Sequence, residues 1–150
     1  MSNWFKKIDL KIAGWMSHYS NFLLRISIAV IFIWFGLLKP LGLSPELELI
    51  KNTVYWMNPE TFVPILGWWE VLIGVCLLYR PLIRFALLLL FIQLPGTLLP
   101  LILLPDVCFN VFPHGLTLEG QYIIKNLLLV NAAFVVGSNV RNLNNDKRML

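Results

Sequence analysis

Charged residues are scarce in this sequence. Asp, Glu, Lys and Arg make up only 13% of its 150 residues, whereas a soluble globular domain carries about 25%. Hydrophobic residues make up 58% and the mean hydropathy is +0.74, so the chain has too little polar surface to cover a water-facing globule. These values predict an integral membrane protein in contact with the lipid bilayer, and they exclude a disordered chain.

Cysteine and histidine are also rare, with two of each. Cys76 lies in an apolar segment and Cys108 in an expected loop, without a CxxC pattern, which excludes a disulfide scaffold and a structural zinc site. His18 and His114 are expected at opposite faces of the membrane, which excludes a haem held by both. Of the two cysteines, Cys108 is the one that we expect to be exposed.

Two further classes are disfavoured by what the chain lacks. The basic excess is small, at a net charge of +4, and it is spread over the flanks of apolar segments, so we expect no nucleic-acid partner. The sequence contains no haem, iron–sulfur or flavin motif, so we expect no haem, metal or flavin bound by this chain.

Four apolar segments are long enough to cross a bilayer, for which a helix needs about 20 mainly apolar residues. They cover residues 21–38, 61–79, 85–104 and 118–140. The first is not followed by a signal-peptide cleavage pattern, so we interpret it as a retained membrane span. The predicted fold class is an all-α integral membrane four-helix bundle, in which residues 1–150 form a single domain.

The basic residues predict the orientation of the bundle. Only Lys39 and Lys51 flank one face of the bundle, whereas eight basic residues flank the other. The eight are Lys6, Lys7, Lys11, Arg80, Arg84, Arg141, Lys147 and Arg148. By the positive-inside rule, both termini are cytoplasmic. The longer loops, over about residues 39–60 and 105–117, then lie on the outer side.

Two additional helices are predicted outside the four spans. One is an interfacial amphipathic helix near the N-terminus, which either anchors the chain or docks a soluble partner. Its apolar stripe consists of Trp4, Ile8, Ile12, Trp15 and Tyr19. The other is a short outer-loop helix that runs to about Met57, because Ser44, Pro45 and Glu46 form a typical helix start.

Two ionisable residues are expected at the same depth within the membrane. Glu70 lies seven residues after Val63, and Lys125 lies seven residues after Leu118, so each is about 10 Å below the outer surface. A charge in hydrocarbon costs several kcal/mol unless it is paired or hydrated. We therefore predict an ion pair between Glu70 and Lys125.

Further polar residues are expected beside this pair in the outer half of the bundle. Glu70 shares a helix face with Gly67 and Gly74, and such small residues allow another helix to approach closely. The third span contributes Gln93, together with prolines that free backbone carbonyls. The fourth span contributes Tyr122 and Asn126 to the same predicted pocket.

Each of these residues also has a structural interpretation. The Glu70 and Lys125 pair would equally fix the register of two helices. Lys39, at the outer end of the first span, would extend to the lipid headgroups. Arg25, one turn inside the inner interface, would reach lipid phosphates.

Three segments together resemble a known family. They are RISIAVIFIWFGLLKP at residues 25–40, GWWEVLIGVCLL at residues 67–78 and LEGQYIIKNLLL at residues 118–129. In this order they resemble the DoxX family of small four-helix bacterial membrane proteins. The matching motif positions are Arg25, Gly36, Lys39, Glu70, Gly74, Lys125 and Asn126.

The resemblance implies redox work close to the quinone pool of the bacterial inner membrane. Glu70 and Lys125 would be the catalytic residues, with Glu70 relaying a proton. Electrons would come through a diffusing quinone or through a partner redox subunit. The protein partner would be such a subunit or further copies of the same chain. The quinone-binding set would be Gln93, Tyr122, Asn126, Lys39 and Arg25.

Two other functions remain open. The chain could be a non-catalytic accessory or assembly subunit of a membrane complex, in which the polar groups only lock the bundle. Transport of a small acid or sulfur compound is disfavoured, because four helices without inverted repeats are too few for a usual secondary transporter.

Overall fold

A computed structural model describes the backbone of residues 3–146 and the side chains of residues 4 and 8–138. Within this part, four helices are long and apolar enough to cross a membrane. They are α1 (Asn3–Leu38), α3 (Pro59–Leu78), α4 (Ile83–Leu103) and α6 (Leu118–Asp146). The predicted multi-pass helical membrane protein is confirmed at this level. Of the basic residues used for the orientation, Lys147 and Arg148 lie outside the described residues, as do the side chains of Lys6, Lys7 and Arg141.

Shorter elements connect the long helices. Helix α2 (Leu47–Thr53) lies between α1 and α3, and a 3₁₀ helix (Arg80–Leu82) joins α3 to α4. Helix α5 (Pro105–Cys108) leads into a small antiparallel hairpin of β1 (Phe109–Val111) and β2 (Gly115–Leu116). The hairpin is an addition to the all-α architecture that the sequence predicted.

Helix α1 is longer than the first predicted span. Residues 4–19, expected as a separate interfacial helix, are instead the first part of α1. The physical reason is that no proline interrupts the segment, so its backbone hydrogen bonds continue into the apolar part. Helix α1 ends just before Lys39, which precedes Pro40, and a residue before proline is disfavoured in a helix.

The four long helices form a closed ring of neighbours. Helix α1 packs on α3, α3 on α4, α4 on α6 and α6 on α1. Because consecutive long helices run in opposite directions, α2, α5 and the hairpin lie at one end of the bundle, which we call the α2 end. The Arg80–Leu82 helix lies at the other end, which we call the turn end.

The core lies between the helices and the surface is apolar. Buried core residues come from all four long helices and include Ile28, Ile73, Leu77, Leu89 and Val136. Many large hydrophobic side chains point outward instead, among them Leu88, Ile92, Ile102, Leu128 and Phe134. A soluble monomer rarely exposes so much apolar surface, so these side chains are suited to contact lipid.

Cys108 is buried, against the expectation that it would be the exposed thiol. Its exposed fraction is 0%, and its Sγ donates to the Pro100 carbonyl oxygen over 3.5 Å. Helix α5 packs against α4 and α6, so Cys108 joins a second small cluster with Leu49 and Ile123. The burial raises the pKa of the Cys108 thiol, and the negative charge of Glu119 raises it further.

Candidate functional site

The site forms where α1 and α3 approach each other most closely. A Cβ atom added to Gly67 would lie 2.6 Å from the Gly36 carbonyl oxygen, and one added to Gly74 would lie 2.8 Å from the Ala29 carbonyl oxygen. No ordinary side chain fits at such distances, so the glycines are what permit the contact. The predicted glycine ridge around Glu70 is therefore confirmed, and the helix that approaches it is α1.

Glu70 is paired with Lys39. Lys39 Nζ donates to Glu70 Oε2 over 2.6 Å, and Lys39 is only 3% exposed. The lysine directly follows α1, where a positive charge also interacts favourably with the helix dipole. The interpretation that Lys39 extends to lipid headgroups is wrong, because a buried carboxylate attracts its ammonium group inward.

Glu46 is a second carboxylate at the same lysine. Its Oε2 lies 3.5 Å from Lys39 Nζ. The chain returns to this position through a turn in which Gly42 adopts a positive φ of 71° and donates its N–H to the Lys39 carbonyl oxygen over 3.1 Å. Ser44 then accepts a hydrogen bond from the Glu46 backbone N–H over 3.3 Å. The short helix expected after Ser44 begins only at Leu47 and ends at Thr53.

Gln93 completes the polar group from α4. Its Nε2 donates to Glu70 Oε1 over 2.9 Å, so the expected proximity of Gln93 and Glu70 is observed. Glu70 thus accepts hydrogen bonds at both carboxylate oxygens. The other amide atom, Gln93 Oε1, is buried and has no hydrogen-bond partner among the described residues.

A cavity of about 110 Å³ adjoins this polar group. Its polar wall consists of Glu46, Glu70, Gln93, Thr53 and Thr97. The remaining wall is apolar and comes from α2, α3, α4 and α6, including Leu49, Phe62, Leu66, Leu99 and Ile123. A largely apolar cavity with a few converging polar groups is typical of a small-molecule site.

The predicted ion pair between Glu70 and Lys125 is wrong. Lys125 is exposed, and its Nζ lies 5.7 Å from the centre of the Tyr122 ring. The α6 residue that lines the cavity is Ile123. Lys125 follows two residues later and so lies about 200° around the helix axis.

Tyr122 and Asn126 are also outside the cavity wall. Tyr122 is 39% exposed, and Asn126 is half-buried. Helix α6 turns its apolar residues, not its polar face, toward the other helices, and Val130, Ala133 and Val136 continue that buried face. The predicted contribution of the fourth span to a polar pocket is therefore wrong.

Arg25 belongs to a different part of the bundle. It lies in α1, fourteen residues before Lys39, and this separation corresponds to about 21 Å of helix. It is 8% exposed, so it lies within the protein at the turn end. Arg25 is not a member of the set around Glu70.

Sequence reasoning missed Lys39 as the partner of Glu70, and it assigned Glu46 to a helix start without placing it in the site. A signal for the first was present. The segments GLLK at residues 36–39 and GWWE at residues 67–70 share one spacing of a glycine and a charge. Two glycines that meet at a helix crossing bring the following turns together, so this shared spacing could have identified the pair.

The comparisons with known proteins found no match: no protein family, curated protein or solved structure is similar to this chain at a significant level. The resemblance to the DoxX family stays a prediction from the motifs.

Proposed function

We propose that this protein is a quinone-linked redox subunit of a bacterial inner membrane, as the DoxX resemblance implies. One observation carries the proposal: an ionisable carboxylate, Glu70, lies on the wall of an apolar cavity between membrane-spanning helices. An intramembrane ionisable residue in such a position is a functional candidate by default. In this proposal both termini are cytoplasmic, and the cavity lies in the outer half of the bundle.

The shape and polarity of the cavity support a ring that carries oxygen atoms. An engineered apolar cavity of about 150 Å³ binds benzene, so a cavity of about 110 Å³ accommodates the edge of a one-ring head group. The isoprenoid tail would lie along the apolar outer surface. The unpartnered Gln93 Oε1 would accept a hydrogen bond from a quinol hydroxyl.

The carboxylate supports a proton-transfer role. Oxidation of a quinol to a quinone releases two electrons and two protons, and the electrons would pass to a redox centre in a partner subunit. Glu70 is within reach of the cavity and would accept the two protons from the bound hydroxyl groups one after the other, releasing the first before it takes the second. Lys39 and Gln93 hold the carboxylate in position for this step through its two oxygens.

Glu46 would connect Glu70 to the aqueous phase. Lys39 contacts both carboxylates, and the Glu46 side chain is 23% exposed, compared with 11% for Glu70. When Glu70 becomes neutral, Lys39 retains Glu46 as a negatively charged partner. The proton-relay role predicted for Glu70 is kept in this proposal, and Gln93, instead of Lys125 or Tyr122, would form the hydrogen bond to the ring.

The experiment adds a side chain at one position of the cavity wall where the structure leaves open space. Gly96 lines the cavity, and a Cβ at this position would meet no atom within 4 Å. Gly96→Leu should therefore fold normally and narrow the ring site at its wall. Gly14→Leu is the matched control, since Gly14 also has no atom within 4 Å but lies in the exposed part of α1.

The measurement is the amount of quinone that co-purifies with each variant, determined by solvent extraction and chromatography, and the affinity for a short-chain quinone by titration calorimetry. We expect binding by the wild-type chain and Gly14→Leu, and a loss of at least about tenfold in Gly96→Leu. Equal binding by all three, or no binding by any, would contradict the quinone site.

A non-catalytic accessory subunit is the second candidate, and a separate observation favours it. Gln121, Tyr122 and Lys125 are exposed on α6 at the depth of the membrane. Polar residues at that depth generally face other protein rather than lipid. Co-purification of a fixed membrane partner, lost in Lys125→Leu and unchanged in Gly96→Leu, would support this candidate over the quinone site.

A further inference from the structure

Arg25 lies near the turn end of the bundle, level with the last residue of α3. Gly74 of α3 faces Ala29 of α1, and the two helices run in opposite directions. Four residues further toward the turn end, α3 reaches its last residue, Leu78, and α1 reaches Arg25. Helix α3 has 20 residues and is thus about 30 Å long, which equals the thickness of the hydrocarbon core.

The charge of Arg25 has no protein counter-ion in the described part of the chain. Arg25 is 8% exposed, and none of the ion pairs among residues 8–138 includes it. Its Nε is buried without a hydrogen-bond partner. The guanidinium carbon lies 5.6 Å from the centre of the Phe22 ring, a contact that leaves the positive charge without a counter-ion. A buried charge is costly unless it is paired and hydrogen-bonded, so an anion from outside the chain would stabilise the guanidinium.

A second cation lies near the same position. Arg80, in the connection between α3 and α4, is exposed and follows Leu78, the α3 residue that is level with Arg25, by two positions. Two arginines that repel each other are stabilised together by a shared anion.

We infer that Arg25 and Arg80 form a binding site for a phosphate group at the turn end. The planar guanidinium fork matches two phosphate oxygens. The phosphate would approach from the side of Arg80, since Arg25 itself retains little exposure. At this level the group is carried by an anionic phospholipid or comes from solution as inorganic phosphate, and the two sources are separable by experiment.

The test compares two exposed arginines of the same segment. Arg80→Gln removes one member of the site, and Arg84→Gln, one helical turn later in α4, removes the same charge from an exposed residue outside it. Arg25→Lys is a third variant that keeps the buried charge but loses the fork geometry. Native mass spectrometry of each variant in detergent would be recorded with phosphatidylglycerol, with phosphatidylcholine and with inorganic phosphate.

We expect the wild-type chain and Arg84→Gln to retain one phosphatidylglycerol molecule, and Arg80→Gln and Arg25→Lys to bind it about tenfold more weakly. The same pattern with inorganic phosphate alone would support the phosphate site with a soluble source. Equal losses in Arg80→Gln and Arg84→Gln would overturn the inference, because they indicate general attraction of lipid to basic residues. No specific retention of either ligand by the wild-type chain would overturn it as well.

Discussion

Lys39 Nζ and Glu70 Oε2 are 2.6 Å apart, although 31 residues separate them in the chain. The contact links the end of α1 to the middle of α3. It is possible only because Gly36 and Gly67 let the two backbones approach to a distance that excludes any Cβ atom. Lys39 also contacts Glu46, the residue directly before α2, so one buried ammonium group links the end of α1, the middle of α3 and the start of α2.

Because Lys39 contacts two carboxylates, substitution of the lysine should be more harmful than neutralisation of Glu70. Lys39→Met leaves Glu70 buried without a cation, which should destabilise the protein by about 3 to 5 kcal/mol. Glu70→Gln should cost less, because Lys39 keeps Glu46 as a partner. The double variant, with Lys39→Met and Glu70→Gln together, should recover most of the stability that Lys39→Met alone loses, because no buried charge is left at position 70. Thermal unfolding in a single detergent measures all three.

Lys51→Met is the control for this series. Lys51 forms an exposed ion pair with Glu48 over 3.2 Å, and exposed pairs contribute at most about 1 kcal/mol. If Lys39→Met were no more harmful than Lys51→Met, or no more harmful than Glu70→Gln, the assignment of Lys39 as the cation shared by Glu46 and Glu70 would be wrong.

The close packing of α1 on α3 predicts opposite effects at two helical glycines. Gly67→Ala adds a Cβ that would lie 2.6 Å from the Gly36 carbonyl oxygen, so it should destabilise the bundle by about 1 to 3 kcal/mol. Gly96→Ala meets no atom within 4 Å and should stabilise α4 by up to about 1 kcal/mol, because alanine favours the helix. If Gly67→Ala and Gly96→Ala shifted the unfolding temperature in the same direction, this account of the contact between α1 and α3 would be wrong.

Cys108 should react slowly with alkylating reagents. The thiolate is the reactive form, and both burial and the charge of Glu119 raise the pKa of this thiol. At pH 7.5 less thiolate is therefore present than in a free cysteine, and the rate should rise as the pH increases. In a Cys76→Ala background, maleimide labelling should be at least about tenfold slower than for a cysteine introduced at the exposed Asn110.

Glu119→Gln tests the electrostatic part of this effect. Removal of the negative charge lowers the pKa of Cys108, so labelling at pH 7.5 should become faster while remaining slower than at position 110. Labelling of Cys108 as fast as at position 110 would show that the thiol is accessible, contrary to the packing of α5.

The orientation of the bundle stays a prediction from the basic residues. In a cysteine-free background, Ser2→Cys and Asn144→Cys should be protected from an impermeant thiol reagent applied to the periplasmic side of intact cells. Asn110→Cys should react. The reverse pattern would place the termini outside, and the cavity beside Glu70 would then lie in the inner half of the membrane.

The sequence by itself determined the four helices and the importance of Glu70. In hydrocarbon every backbone N–H and C=O must be paired within the chain, so long apolar segments have one main solution, the helix. The lengths of the apolar segments therefore predicted α3 and α4 closely. The glycines around Glu70 likewise indicated a helix contact, because their spacing of three and four residues places them on one face.

The partner of Glu70 was decided by the tertiary structure. Counting residues from the end of a helix gives the depth of a side chain but not the direction in which it points. Lys125 has a suitable depth, yet α6 rotates so that Ile123 faces the cavity and Lys125 faces outward. This rotation follows from packing the apolar face of α6 against α1 and α4, which depends on all the helices together.

The same distinction holds for Glu46 and Cys108. Both lie in connections between helices, where no periodic pattern shows which residues become buried. The turn at Gly42 returns Glu46 to Lys39, and the packing of α5 on α4 and α6 covers Cys108. Local sequence decides where such a segment bends, but only contacts with residues far away in the chain decide what its side chains meet.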